Sequence, residues 1–216
     1  KALQDNHLFG PLAAEELPLD DRLVGRVTAE AVWAKLSSPH YHSAAMDGFA
    51  LRAADTVGAT PSHPISLRMG EQALYVDTGD AVPEWANAVV PIENIEAISA
   101  SGYLSENPRH PDLIRLRAAT PPWSYIRPMG EDIVATQLVL PAGQILRPVD
   151  LGAVAAAGHS FMKVIRQPLI AILPTGSELV PIGVPVERGK IIEYNSVVLA
   201  GQIRQWGGIP LRFPII

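Results

Sequence analysis

The chain has 216 residues, about one and a half domains by length and enough to bury a core. Seventeen Lys and Arg against 22 Asp and Glu give a formal net charge of −5, and without a dense basic run we expect no nucleic-acid partner. Cysteine is absent, which excludes disulfides and thiolate metal sites in this sequence, and no apolar run approaches the ~18 residues of a membrane span.

The first part of the chain shows helical spacing. Ala2-Leu3-Gln4 resembles the interior of a helix, and residues 11–35 are predicted to be helical because apolar side chains recur near the helical period. These are Leu19, Leu23, Val27 and Val32, preceded by the acidic pair Asp20-Asp21. Pro39 ends the predicted region.

The character of the sequence changes between Ala50 and Trp123. Short alternating runs, Ile65–Met69 and Leu113–Arg117, are separated by Gly, Pro, Ser and Asn. Alternation with period two is typical of half-buried strands, so this stretch predicts a small β unit of short strands and turns.

A helix is predicted next, within residues 145–166. Pro148 suits its first turn, Asp150 favours its N-terminal end, and Gly158 is a natural stop. A strand over Phe161–Ile165 should follow it.

The last fifty residues predict one β-α-β unit. Leu169–Leu173 is a continuous apolar run, as expected for a parallel strand covered on both faces. Asn195 is predicted to cap a helix through Trp206, which Gly207-Gly208 ends. The next strand is expected over Ile209–Ile216. Since a lone unit cannot cover both faces of its sheet, the chain is expected to be a fragment of a larger protein.

Four short segments combine glycine with acidic or hydroxyl side chains. They are Ser43–Ala50 with Asp47-Gly48, Thr78–Pro83 followed by Ala88–Glu93, Gly130–Ile133 with Glu131-Asp132, and Leu173–Leu179 with Thr175-Gly176-Ser177-Glu178. Glycine allows positive φ or a close approach to a ligand, and a carboxylate beside it can face a cation.

Each segment taken alone also has an ordinary structural interpretation. Asp47-Gly48 and Thr78-Gly79-Asp80 could be turns, and Glu131-Asp132 a solvated pair. Glu178 and Asp150 could be acids of a first helical turn, with that role favoured for Asp150. His40 and His42 are interpreted as ordinary loop residues, because no third ligand lies nearby in the sequence.

In this order, the four segments resemble the MoeA family of molybdopterin molybdenumtransferases, related to the E domain of gephyrin. The family pattern reads roughly S-A-M-D-G-[YF]-A, then T-G-A-x-[VL]-P with A-V-V-x-x-E, then G-E-D, then T-G-[DS]-E-L. The resemblance implies an α+β multi-domain fold. It predicts a mixed helical and β first domain (residues 1–45 and 124–167), an inserted β domain (46–123), and the first part of a truncated MogA-like α/β domain that binds molybdopterin (168–216).

The resemblance also implies an activity, namely insertion of molybdenum from molybdate into adenylylated molybdopterin (molybdopterin-AMP) with release of AMP. By motif match, Asp47, Thr78 and Asp132 carry over as catalytic residues. Gly48, Gly79, Thr175, Gly176 and Ser177 carry over as substrate-binding residues, and Asp47, Asp132 and Glu178 as ligands of Mg²⁺. The present chain alone is expected to be inactive, because it holds only part of the pterin-binding domain.

Two positions depart from the family pattern. Ser177 stands where many members have Asp, and a hydroxyl supplies no charge to a metal. Asp80 stands where Ala is usual and adds an acid near the predicted site. The Ser177 position keeps an alternative open, that of a non-catalytic scaffold or a molybdate- or pterin-sensing relative. The resemblance further implies a cytoplasmic homodimer, with a molybdopterin adenylyltransferase as a candidate protein partner.

Overall fold

The structure, a computed structural model, describes residues 10–216. The helix interior predicted at Ala2-Leu3-Gln4 lies outside these residues. The chain separates into two compact units, one formed by the described residues up to Trp33 together with Leu138–Ile216, the other by Ala34–Gln137. Over the described range, every helix is too short or too polar to cross a bilayer.

Short strands dominate the described chain, with two α-helices among them. In chain order the strands are β1 (Ala14–Pro18), β2 (Val32–Trp33), β3 (Ser43–Ala44), β4 (Gly48–Leu51), β5 (Ile65–Arg68), β6 (Ala73–Val76), β7 (Ala88–Pro91), β8 (Ile95–Ile98), β9 (Leu113–Leu116), β10 (Ile126–Arg127), β11 (Leu138–Leu140), β12 (Phe161–Ile165), β13 (Leu169–Ile172), β14 (Leu179–Val180), β15 (Ile191–Ile192) and β16 (Ile209–Arg212). The helices are α1 (Pro148–Ala156) and α2 (Asn195–Gln205).

The unit Ala34–Gln137 contains two three-stranded antiparallel sheets. Strand β4 lies between β6 and β7, and strand β9 lies between β5 and β8. Strands β5 and β9 coincide with the two alternating runs, so the β unit predicted from them is confirmed. All four residues of β4 are buried, which explains why its sequence is apolar without alternation.

One core cluster connects these two sheets. Phe49 and Leu51 from β4 pack with Leu67, Ile114 and Leu116 from the second sheet, and each of the five is almost fully buried. Because β4 is anchored on both faces and both edges, the residue that precedes it is held in a defined place.

In the other unit, β1 and β12 form an antiparallel pair, and β2 pairs with β11. The predicted helix after Ile145 and the predicted strand over Phe161–Ile165 are confirmed as α1 and β12. Gly158, with φ of +88°, follows the helix as expected.

The helix predicted within residues 11–35 is wrong. The segment instead forms β1, a 3₁₀ turn at Asp21–Leu23, and β2. The apolar recurrence matched a helical period, but the backbone groups of β1 bond to β12, and Leu23 is buried from the 3₁₀ turn. A partner strand far along the chain therefore overrode the local pattern.

The predicted β-α-β unit is confirmed at the C-terminal end. Strands β13 and β16 pair in parallel, with Leu169 opposite Ile209, and α2 lies between them in sequence. The predicted cap is wrong, because Asn195 is already the first helical residue. The N-cap residue is Tyr194, and the capping hydrogen bond comes from Glu193, whose carboxylate accepts the backbone N–H of Ser196 at 2.8 Å. The Ser196 hydroxyl bonds the same carboxylate and lowers the pKa of Glu193.

Candidate active site

Strand pairing brings Asp47 and Thr78 together. Asp47 directly precedes β4, Thr78 follows β6 by two residues, and the antiparallel register sets Gly48 opposite Val76. Oδ1 of Asp47 accepts hydrogen bonds from the Thr78 backbone N–H at 2.8 Å and from the Thr78 hydroxyl at 2.7 Å. Two of the predicted catalytic residues therefore form one hydrogen-bonded pair.

This pairing keeps the Asp47 carboxylate charged. The Thr78 hydroxyl, and then its backbone N–H, lower the pKa of Asp47 below its ordinary value, and Arg109 adds a smaller effect. The side chain remains 42% exposed, so a ligand in solvent can reach it. Both Thr78 donors bond Oδ1, whereas Oδ2 lies 3.8 Å from the Arg109 guanidinium.

Gly48 allows two backbone segments to approach closely and is not part of a turn. It is the first residue of β4, and its Cα lies against the backbone carbonyl of Val90 with no room for a side chain. The interpretation of Asp47-Gly48 as a turn is therefore wrong for Gly48, which belongs to a strand.

The second motif does form a turn. Gly79 has φ of +93°, and the Asp80 N–H donates to the Asp77 carbonyl at 3.0 Å. The Asp80 carboxylate accepts the Asp77 N–H at 2.9 Å. The additional acid of this chain thus closes the turn that presents Thr78.

Sequence reasoning missed a cation beside Asp47. Arg109 Nη2 lies 3.8 Å from Asp47 Oδ2, and Arg109 Nη1 lies 3.9 Å from Asp77 Oδ1. The guanidinium also stacks over the Tyr75 ring, 5.5 Å from its centroid. Arg109 belongs to the β8–β9 loop, and no local motif marks that loop.

Tyr75 completes this side of the site. Its hydroxyl donates to Asp77 Oδ1 at 2.8 Å, and its ring packs edge-on against the buried ring of Phe49. Burial, followed by the hydrogen bond to Asp77, raises the pKa of Tyr75 to about 12. Tyr75 is therefore a neutral hydrogen-bond donor that connects the core to the charged groups.

Asp132 has a different partner in this structure. Arg127 donates to Glu131 at 2.7 Å and to Asp132 at 3.2 Å, and all three side chains are exposed. Within residues 10–216, no three His, Asp or Glu side chains come close enough together to hold a metal ion. His42 accepts the backbone N–H of Met129 at 3.0 Å, in agreement with a loop role.

The fourth motif lies between β13 and β14. Thr175 lines a cavity of about 250 Å³ at the carboxyl end of β13, where ligands commonly bind in α/β sheets. The Glu178 carboxylate folds over Gly176, the Ser177 carbonyl accepts Lys190 Nζ at 2.8 Å, and the Ser177 and Glu178 side chains are exposed.

Asp150 acts at the start of α1. Its carboxylate accepts bonds from the side chain and the backbone N–H of Arg147 at 2.8–3.0 Å. These two interactions, in that order, lower the pKa of Asp150 to about 2. The structural role favoured for this acid is confirmed.

Comparison with known proteins identifies the family of this chain. Residues 1–158 match the family described as MoeA N-terminal region (domain I and II), and the chain belongs to the MoeA family. It is 36% identical over 198 residues to molybdopterin molybdenumtransferase 2 of Mycobacterium tuberculosis, covering 85% of this chain and 46% of that protein. It is 30% identical over 207 residues to molybdopterin molybdenumtransferase of Nostoc sp., covering 89% and 45%.

A solved structure is also similar. The molybdopterin biosynthesis moeA protein from Pyrococcus horikoshii OT3 superposes with a TM-score of 0.78 at 32% identity, over 94% of this chain and 55% of that one. The chain spans about half the length of the curated relatives it matches.

Proposed function

We propose that the intact protein inserts molybdenum from molybdate into molybdopterin-AMP and releases AMP. Membership of the MoeA family, with relatives named molybdopterin molybdenumtransferase, supports the reaction class. The observation that carries the proposal is the Asp47 carboxylate, which two Thr78 donors hold while the side chain stays 42% exposed.

Asp47 and Thr78 divide the work in this proposal. Thr78 fixes the orientation of the carboxylate before substrate arrives, so that little reorganisation is needed during the reaction. Asp47 provides the fixed negative charge. Arg109, beside Oδ2, provides the positive charge that attracts molybdate and the phosphates of molybdopterin-AMP toward it.

Asp47 can serve as a carboxylate ligand of Mg²⁺, because its side chain is 42% exposed and Oδ2 makes no short hydrogen bond within the described residues, with Arg109 Nη2 3.8 Å away. Mg²⁺ in proteins often binds one or two carboxylates and completes its shell with water and substrate phosphate, so a three-acid cluster is not required. When bound, Mg²⁺ would neutralise charge on the phosphates of the leaving AMP. Asp132 and Glu178 are proposed as further Mg²⁺ ligands from the family resemblance alone, since Asp132 is bonded to Arg127 in this structure.

The α/β segment is proposed to hold part of the substrate. Thr175, Gly176 and Ser177 lie at the carboxyl end of β13, and Thr175 lines the cavity described there. A Ser177 hydroxyl can donate to phosphate without adding negative charge. The Ser177 side chain is exposed and therefore accessible to a ligand.

The larger assembly is proposed from the family resemblance. We assign residues 1–45 and 124–167 to the first domain, 46–123 to an inserted β domain, and 168–216 to the start of the MogA-like α/β domain. The compact β-rich unit Ala34–Gln137 supports an insertion in this part of the chain. A cytoplasmic homodimer that receives molybdopterin-AMP from an adenylyltransferase would complete the scheme.

Asp47→Asn in the intact protein tests the catalytic role. We expect a melting temperature close to that of the unaltered protein and a fall in molybdenum insertion of about 100-fold or more. Glu71→Gln is the matched control, because it removes an exposed acid from the β5–β6 turn of the same unit. Unchanged insertion by Asp47→Asn would overturn the assignment.

A second assay separates an enzyme from a scaffold or sensor. The intact protein should restore molybdate-dependent cofactor production in a strain that lacks its own family member, and the Asp47→Asn variant should not. Restoration by neither protein would contradict the proposed reaction, and equal restoration by both would contradict the role of Asp47.

A further inference from the structure

A cavity of about 400 Å³ opens beside the segment that joins β9 to β10, within the unit Ala34–Gln137. Its apolar wall includes Val90, Leu116 and Pro121, and its polar rim includes Asn94, Arg117 and Tyr125. Small-molecule sites typically combine an apolar wall with a few polar groups, and they have volumes in this range. None of the three rim residues belongs to the proposed active site.

Tyr125 is held in an unusual backbone conformation. Its φ is +52°, in the left-handed region, which bulky side chains rarely adopt. The neighbouring backbone fixes it there, because Ala45 N–H donates to the Tyr125 carbonyl at 2.9 Å and Val89 N–H donates to the Ser124 carbonyl at 2.9 Å. The side chain nevertheless remains 47% exposed, so core packing alone does not explain an aromatic ring at this position.

Trp123 offers a matched comparison two residues earlier. It has a similar backbone conformation, with φ of +66°, and a similar exposure of 54%. Its ring packs edge-on against His42, with centroids 5.0 Å apart, and it does not line the cavity. The chief difference between the two side chains is therefore that Tyr125 lines the cavity, whereas Trp123 packs against His42.

The charge at the rim comes from Arg117. Its Nε bonds Glu96 at 2.6 Å and its Nη1 bonds the Pro61 carbonyl at 3.1 Å, which fixes the guanidinium in place. Its Nη2 has no hydrogen-bond partner among residues 10–216 and can donate to an anion. The Asn94 side chain is exposed at the same rim and offers both a donor and an acceptor.

We propose that this cavity binds a planar heteroaromatic ring with an anionic substituent, such as a nucleoside monophosphate. The ring stacks on Tyr125 above the apolar wall, Asn94 bonds the polar edge of the ring, and Arg117 Nη2 binds the anion. Stacking on an aromatic side chain tolerates different bases because every base has a π-face.

Binding measurements on the purified protein test this inference. Calorimetry and NMR would measure the binding of AMP, adenosine and inorganic phosphate. AMP should bind saturably with a Kd below about 1 mM, adenosine more weakly, and phosphate alone should not compete at equal concentration. Tyr125→Phe should bind AMP as well as the unaltered protein. Tyr125→Asn, which still tolerates positive φ, should weaken AMP binding about tenfold or more.

Three controls make the result specific. Trp123→Asn should change the Kd for AMP by less than about twofold, and Arg117→Gln should weaken AMP but not adenosine. Asp47→Asn should bind AMP normally, because Asp47 is not part of the cavity. No saturable AMP binding, or equal loss in Trp123→Asn and Tyr125→Asn, would overturn the proposal. So would AMP binding that Asp47→Asn abolishes and Tyr125→Asn retains, since that result places the nucleotide at the active site.

Discussion

The Cα of Gly48 in β4 lies so close to the backbone of Val90 in β7 that a Cβ on Gly48 would lie 2.1 Å from the Val90 carbonyl oxygen. Both strands belong to a buried sheet whose β4 is hydrogen-bonded on its two edges, so neither backbone can withdraw. Gly48→Ala should therefore destabilise the protein by about 3 kcal/mol or more, measured by urea unfolding.

The control for this change is Gly201→Ala, in the exposed middle of α2, where a Cβ meets nothing within 4 Å. That substitution should stabilise the protein by about 0.5–1 kcal/mol, because glycine is a poor helix former. Similar midpoints for the two variants would show that the β4–β7 contact is not as close as described.

Thr78 gives a second prediction. Thr78→Val removes the hydroxyl that bonds Asp47 but keeps the backbone N–H, so the pKa of Asp47 should rise. Molybdenum insertion by the intact protein should fall about 10–100-fold, as for loss of a group that orients a ligand. Thr78→Ser keeps the hydroxyl and should retain most activity. Carbon-13 NMR of the Asp47 carboxyl reports the pKa, and a pKa unchanged in Thr78→Val would contradict the role.

Arg109 is the subject of the third prediction. Arg109→Gln removes a positive charge 3.8 Å from Asp47, so the pKa of Asp47 should rise, and by less than in Thr78→Val because the hydroxyl bond has the larger effect. The apparent KM for molybdate should also increase, more strongly at low ionic strength. Arg52→Gln is the matched control, because Arg52 also lies 3.8 Å from a carboxylate, that of Asp55. Equal effects of the two substitutions would remove Arg109 from the site.

The fourth prediction concerns pH. The pKa of Asp150 is lowered to about 2, against ~3.9 for an unfolded chain, so the folded state favours its charged form. Its contribution to stability is fully present above the unfolded pKa and is lost as the pH falls toward about 2. Asp150→Asn should cost about 1 kcal/mol at pH 7, the usual value of a helix cap. In urea unfolding at a series of pH values, the gap between the two proteins should narrow between pH 4 and pH 2, whereas a constant gap would contradict the pairing with Arg147.

Local sequence patterns predicted the parts of the fold that depend on local physics. The apolar run Leu169–Ile172 is a parallel strand as predicted, but the predicted coverage of both faces is not seen, because only Ile172 is buried among the described residues. Strands β5 and β9 alternate because each has one buried face. The apolar spacing in residues 11–35 predicts a helix wrongly, because strand β1 in this region forms by pairing with β12, far along the chain. Such long-range pairing leaves no local signature.

The residues of the candidate site likewise fall into those that the sequence predicts and those that it does not. Asp47 and Thr78 were visible as motifs, and the structure brings them together. Arg109 and Tyr75 were not visible, since an arginine in a polar loop and a tyrosine in a strand have many ordinary uses. Only the tertiary structure shows that the β8–β9 loop brings Arg109 to Asp47, at the start of β4.

The use of Oδ1 by both Thr78 donors has a consequence for ion selectivity. A carboxylate with one oxygen already saturated can offer a cation only the other, so Asp47 would coordinate in monodentate fashion. Ca²⁺ takes six to eight oxygens and often gains two from a single carboxylate, whereas octahedral Mg²⁺ accepts one oxygen from each and keeps its waters. Thr78 would thus favour Mg²⁺ over Ca²⁺ at Asp47 without contacting the ion itself.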